Sequence, residues 1–557
     1  VIRRSLEGLE DGVIETLIIG SGPAGLTLAM ELERHAKRSV ILESGDVGAG
    51  AAQELSSARI VEPNWHDDMS IAVSRRLGGA SNLWGGRCMR LDPTDFEPRA
   101  YARDTRWPMT FAELEPWYDL ACRYANCGDP VFDHALADVQ IADDQFTMSS
   151  IERSSNKPAF QKAHREKLSS STLIDVRLGA TVVDFEALEN GRISRVGVVG
   201  SDGKRRNVRV GRLVVAAGGL ESTRLLLAFQ RRHADLFGGP DGPLGRYYMG
   251  HIIGEIADVV FSDERFDAAY DFALDGRGSF VRRRFIPSAD TQRRDGLPNM
   301  SFWPVVPPIA DARHRSGPLS AVTLALAAPG LGGSLVAEAI RKRHLSGTVD
   351  WFAHARNIGA DIPRTIGFLG QFAYRRYLSK QRISGYFVRN RARRYGLAYS
   401  SEQSPRAESR VSLLDESDRL GLPRLNVDYR CHREDAEAVA RAHTSLRDWL
   451  ARTGVGRIEY RQSESANVDA VVAKMGHGTH QIGTVRMGFT RRDGVVDRDL
   501  RTFDCPNLFV SSSAVFPTSG QANPTLSIVA LAARLADRLA RERSTGGHAV
   551  RAAVAHA

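Results

Sequence analysis

Residues 15–46 read ETLIIGSGPAGLTLAMELERHAKRSVILESGD. The apolar run 17–19 passes straight into Gly20-Ser21-Gly22-Pro23-Ala24-Gly25. A helical pattern follows through Leu26, Leu28, Ala29 and Leu32, and 39–42 reads as a second strand. Strand, tight turn, helix, strand is the setting in which a G-x-G-x-x-G string binds a dinucleotide. Gly20 permits the turn, Gly22 lets backbone approach a pyrophosphate, and Gly25 allows the helix to pack closely on the strand, with phosphate at the positive helix N-terminus. Glu43 closes the second strand, 18 residues past Gly25, where a carboxylate accepts hydrogen bonds from the adenosine ribose. The same acid disfavours a 2′-phosphate, which leaves FAD or NAD ahead of NADP.

A flavin enzyme that also oxidises a nicotinamide commonly carries a second fingerprint, and the chain offers none. The nearest string, Gly330-Leu331-Gly332-Gly333, lacks the third glycine and a preceding strand. A resident FAD, reduced by a substrate, is the expectation.

The 557 residues are 42% hydrophobic and 25% charged, an ordinary globular composition that excludes intrinsic disorder as a description of the whole chain. Cys88, Cys122, Cys127, Cys431 and Cys505 form neither a CxxC box nor an even framework, so neither a metal site nor a disulfide scaffold is expected. Near the N-terminus, Glu7, Glu10 and Asp11 stand where a secretory signal needs an apolar core. The most apolar stretch, 321–340, is interrupted by Pro329, three glycines and Glu338. The reading is therefore a cytoplasmic protein without a membrane span.

The formal charge of +9 points at first to a polyanion partner. Residues 341–396, however, hold 13 Lys and Arg against Asp350 and Asp361, a local +11, so the rest of the chain sums to −2.

Outside the opening unit, 173–227 is β-rich, with a buried strand at 213–216 ahead of Gly218-Gly219. FAELEPWYDLACRYA (111–125) reads as helix, 335–396 as several amphipathic helices, and 507–540 as strand, long turn and helix.

Three further strings, SRRLGGASNLWGGRC (74–88), HQIGTVRMG (480–488) and NLFVSSSAVFPTSGQANPTLSIVALAARLAD (507–537), resemble the glucose-methanol-choline (GMC) flavoprotein oxidoreductases. AAGGLESTRLL (216–226) and GPLGRYYMGH (242–251) extend the resemblance, in the family's order and spacing. WPMTFAELEPWYDLA (107–121) and the stretch 402–429 look most like its sugar- and polyol-oxidising branch, near pyranose oxidases and fructose dehydrogenase-like proteins.

The resemblance implies an α/β GMC fold. A discontinuous, Rossmann-like FAD-binding domain would come from 1–90, 170–255 and 475–545, with 91–169 as a connecting or lid region. A substrate domain with an antiparallel sheet and a helical layer would come from 256–474, including the basic helices of 341–396. The loop through Gly78, Gly79, Ser81, Asn82, Trp84 and Gly85 would lie along the flavin. Val182 would meet adenine, Ala217 and Gly218 the adenosine end, and Ser512 the ribityl region, where many members carry Asp. Members with covalent FAD place a His where this chain has Leu83, so non-covalent FAD is expected.

Alcohol oxidation on a flavin needs a base for the hydroxyl proton while hydride leaves carbon for flavin N5, a role suited to a neutral imidazole. His480 has the family's spacing to Gly483-Thr484, with His477 as its rival. Asn523 matches the family's second catalytic position, where its amide would hold the substrate oxygen. Pro524 and Thr525 would open a helix directed at the flavin C2 carbonyl, helping the reduced ring carry negative charge.

The expected reaction is oxidation of a hydroxyl of a sugar, glycoside, aminosugar or cyclitol to ketone or aldehyde, with oxygen or another electron acceptor closing the cycle. Competing readings are an apolar alcohol such as a sterol, a nicotinamide-dependent flavin reductase or monooxygenase, and a flavin-fold binding protein without catalysis. The basic segment carries no nucleic-acid module. Its arginines are expected in water on amphipathic helices, with a membrane surface or a redox partner as the competing occupant.

Overall fold

The computed structural model describes residues 1–99, 102, 104–136, 141, 143–328, 345 and 349–542. The string 330–333 and the start of the basic segment, 341–344 and 346–348, lie outside them.

The strand Val13–Ile19 sits in the middle of an eight-stranded sheet, with Ser39–Glu43, Ile174–Leu178 and Ile2–Arg3 in turn on one side, and Arg205–Val215 on the other. Leu17, Ile18, Ile41, Val214 and Val215 are buried. Strands of a parallel sheet are covered on both faces, which is why these runs are continuously apolar instead of alternating. Arg205–Val215 changes character along its length. Its first half pairs antiparallel with Ile193–Val199, beyond which lies Thr181–Ala187, and its last residues, buried throughout, run parallel to both Val13–Ile19 and Leu508–Val510.

The register brings Ile19 beside Leu42 and Val215, and Val215 beside Val510. The C-terminal ends of the parallel strands therefore reach one edge together. Loops leaving that edge at Gly20, Ser44, Ala216 and Ser511 line a single cleft, the usual ligand position for an open α/β sheet. The helices Pro23–Arg34 and Thr525–Arg541 pack against each other over the sheet, and Trp117–Ala125 packs on the second of them. Leu91, Trp107, Tyr118 and Phe160 join the same core, so the 91–169 stretch contributes to its packing. Helix in 111–125 is interrupted at Glu115-Pro116, between Phe111–Leu114 and Trp117–Ala125.

A second sheet, antiparallel throughout, runs Met300–Val305, Arg394–Glu402, His251–Phe261, Gly456–Tyr460. Period-2 alternation divides its faces. Phe302 and Tyr399 meet His443 of the helix Arg433–Thr453, whereas Trp303, Ala398 and Ser400 face the cleft. Helices Gly317–Ala327, Trp351–Ala360 and Ile362–Ala373 form an outer layer over a small core of Ile309, Leu319, Leu326 and Val388. The expectation of helix through 396 is corrected: helical residues end at Leu378, and Arg394 opens the strand whose Tyr395, Leu397 and Tyr399 are buried. Pairing on both sides of this strand outweighs the amphipathic helical pattern of its sequence.

Candidate active site

Between the two sheets lies a cleft of about 2280 Å³. The fingerprint forms one end. Gly20, at φ 99°, turns the chain, and a Cβ there would come within 2.6 Å of the Ala216 carbonyl oxygen. A Cβ on Gly25 would meet the Gly20 oxygen at 2.0 Å, so only hydrogen lets the helix close on the strand. Gly22 is different: a Cβ there would meet nothing within 4 Å, because the glycine faces the open cleft. Glu43 is locked in place, its Oε2 accepting from Ser21 N at 3.1 Å and Ser21 Oγ at 2.6 Å, its Oε1 from Gly45 N at 2.8 Å. Oε1, which accepts from a single donor, keeps a further lone pair for a ribose hydroxyl.

The loop 78–85 is held by its own polar groups. Ser81 Oγ donates to the Gly78 carbonyl at 2.6 Å, Asn82 Nδ2 to the Leu77 and Gly79 carbonyls, and Trp84 Nε1 to the Pro158 carbonyl at 2.7 Å. Gly79, Ser81, Leu83, Trp84 and Gly85 line the cleft, as do Val182, Ala217, Gly218, Ser512, Pro524 and Thr525. Gly25, Gly78 and Asn82 stand behind that wall.

At the other end, Met249 and Ile482 exchange backbone hydrogen bonds of 2.9 and 3.0 Å in an antiparallel bridge. His251 stands two residues after Met249 and His480 two residues before Ile482, and their Nδ1 atoms are 2.8 Å apart. Asn523 Nδ2 lies 3.5 Å from His480 Nε2. An amide N–H only donates, so the Nε2 facing it is the lone-pair nitrogen. The proton of neutral His480 is then on Nδ1, donated to His251 Nδ1. Burial holds His480 well below its ordinary pKa of 6.5, and the neighbouring His477, His251 and Arg87 push the same way. Burial also lowers His251, to about 4, with backbone hydrogen bonding at Ser519, Gly520 and Ala522 opposing it only in part. His477 lines the cleft too, its ring centroid 4.6 Å from that of His480, and Thr479 Oγ1 sits 3.0 Å from its Nε2.

A buried ionic group adjoins these residues. Glu152 bonds Arg87 at 2.6 Å and also pairs with Arg284, and both guanidiniums lie over the Trp303 ring. Burial favours a neutral Glu152, but Arg87, Arg284 and Arg282 outweigh it and hold the carboxyl well below the carboxylate range. Neither His251 nor this group stands out in the sequence. His251 ends the GPLGRYYMGH string, and that position is the one signal that could have marked it.

The cleft thus combines two helix N-termini, at Pro23 and Thr525, an open glycine cradle and a ribose-binding acid with a base and an amide. A flavin dinucleotide fits this donor set. Comparison with known proteins agrees. The family model for GMC oxidoreductase matches residues 405–532. Over 95% of its length the chain is 24% identical to paromamine 6′-oxidase of Streptomyces fradiae, of which 92% is covered. The C-terminal part of the chain thus carries the likeness to the GMC oxidoreductases. A 134-residue part, 22% of the chain, is 35% identical to 6‴-hydroxyparomomycin C oxidase of Streptomyces lividus, where it spans 24% of the length. Pyridoxine 4-oxidase from Mesorbium loti shares the fold over 95% of this chain and all of its own, with a TM-score of 0.52 at 18% identity. These likenesses imply a flavin as the dinucleotide that the cleft would hold.

Proposed function

We propose that this protein acts as a GMC oxidoreductase and oxidises a hydroxyl of a sugar, glycoside, aminosugar or cyclitol to the ketone or aldehyde, using FAD held without a covalent bond. The observation that carries the reading is the convergence of His480 Nε2 and Asn523 Nδ2 at 3.5 Å in the cleft wall, with His480 Nδ1 already engaged by His251. Both groups address one point, the place for a substrate hydroxyl. His480, neutral at physiological pH, takes the hydroxyl proton on Nε2. The Asn523 amide donates to the hydroxyl oxygen and fixes which C–H is presented. His251 holds the imidazole in the tautomer that leaves Nε2 free. Bound flavin supplies the hydride acceptor, and oxygen or another acceptor restores it.

The fingerprint, Glu43 and the two helix N-termini would hold the dinucleotide. Leu83 stands in the cleft wall without a nucleophile, which supports non-covalent attachment. The division into a cofactor domain of 1–90, 170–255 and 475–545 and a substrate domain of 256–474 is part of the same reading. The test is anaerobic addition of sugars, glycosides, aminosugars and cyclitols to the yellow enzyme, followed by air or a quinone. Bleaching by a member of the panel is expected. An enzyme bleached by NADH and by none of the polyols would overturn the reading.

A further inference from the structure

The outer helices carry an exposed apolar surface that runs from solvent to the cleft. Fifteen large hydrophobic side chains are exposed among the described residues, and eight of them fall within residues 351–378. Ile362, Ile366, Leu369 and Tyr377 recur at the spacing of one helix face, and Phe352 and Leu378 are 80% and 77% exposed. A helix of a water-soluble protein turns such a stripe inward. Ile362–Ala373 instead buries only Thr365 and presents the stripe outward. Such a concentration of exposed apolar side chains on adjoining helical elements marks an interaction site.

Charge selects the occupant. Between residues 351 and 388 the one acidic side chain is Asp361, against Arg356, Arg364, Arg375, Arg376, Lys380 and Arg382. Aromatic and aliphatic side chains bordered by cations match the interface of an anionic bilayer, where rings sit at headgroup depth and cations meet lipid phosphates. No helix among the described residues is long and apolar enough to cross a membrane, so the fit is to a surface. The same helices reach the cleft: Leu369, Phe372, Arg376 and Tyr377 are among its lining residues.

We propose that residues 351–378 dock the enzyme on anionic lipid surfaces, with the mouth of the substrate cleft at the membrane. The proposal is independent of which hydroxyl is oxidised, and its test reads binding, not turnover. The FAD-loaded full-length protein is sedimented with vesicles of phosphatidylcholine containing about 30% phosphatidylglycerol, and with pure phosphatidylcholine, at low and high salt. Retention on the anionic vesicles, weakened by salt, is expected. Replacing Phe352 and Leu378 together with Ser should lower the partition coefficient by about tenfold or more while flavin absorbance and thermal midpoint stay unchanged, since neither side chain is packed. Absence of the wild-type protein from both vesicle pellets would overturn the proposal, as would binding that the double substitution leaves intact. If that substitution dissolves a dimer in sedimentation velocity and vesicles bind neither form, the face joins two copies of the chain and the proposal fails.

Discussion

The Nδ1 atom of His251 lies 2.8 Å from the Nδ1 atom of His480, so one imidazole fixes the tautomer of the other. Substituting His480 by Ala removes the base and should slow anaerobic flavin reduction by about 10²- to 10⁴-fold with flavin content retained. His251→Phe keeps the bulk and loses the acceptor for the Nδ1 proton. A smaller slowing, on the order of tenfold to a hundredfold, is expected in stopped-flow reduction. Full activity of His251→Phe would refute the tautomer argument and leave His480 as the base.

The depressed pKa of His480 has a definite consequence for pH dependence. Its cause is burial first and neighbouring cationic or ionisable groups second, both of which favour the neutral ring. The base is ready above its pKa, so kcat/KM should stay flat as pH falls through 6.5 and decline only well below it. An acidic limb centred at or above 6.5 would contradict this.

Asn523 tests the same centre from the other side. Asn523→Asp exchanges an amide donor for a carboxylate next to Nε2. The new anion favours imidazolium, so the acidic limb should move upward while the maximal rate falls. Asn523→Ala should lower the rate by about tenfold or more without moving the limb. A limb position shared by both variants would show that Asn523 is not electrostatically coupled to the base.

Gly22 and Gly25 separate cofactor approach from folding. At Gly25 a Cβ would stand 2.0 Å from backbone, so Gly25→Ala must push helix from strand and should lower both soluble yield and thermal midpoint. At Gly22 a Cβ has protein-free space on the cleft side, so Gly22→Ala should fold normally and lose FAD, read as a reduced ratio of absorbance near 450 nm to 280 nm. Retention of FAD by Gly22→Ala would remove the pyrophosphate from that position.

The cofactor end of the cleft was legible because its information is local. Gly20 to Glu43 fall within one βαβ unit whose spacing encodes the turn, the helix start and the acid. His480 and Asn523 were legible through motif strings. His251 was not, since its role follows from a backbone bridge that brings it to a residue 229 positions away. The Glu152 group was hidden for a related reason: Arg87, Arg282 and Arg284 read as ordinary surface charge until the sheets close around them. The basic stretch past Leu378 misled because its alternating apolar residues suit a strand between two partners as well as a helix.

Asp92 and Asp95 give the alkaline counterpart. They share a buried network in which Asn299 Nδ2 donates to both and Gln521 Nε2 donates to Asp92, two residues before Asn523. Burial comes first, then the charges of Asp92 and Glu402, in raising Asp95 to about 8. The pair therefore holds a proton at neutral pH. A carboxyl whose folded pKa lies above its unfolded value of 3.8 contributes most to stability below pH 3.8, and that contribution drains as pH rises to about 8. Asp95→Asn carries no such proton. The thermal midpoint of the wild type should consequently lose ground to that of Asp95→Asn between pH 5 and pH 8, by several degrees, whichever protein is the more stable at pH 5. Histidine and surface titrations are common to both proteins and cancel in the difference. A difference in midpoint that stays constant across this range would mean that the network holds no proton at neutral pH. The turn bearing Gln521 and Asn523 would then rest on two ionised carboxylates.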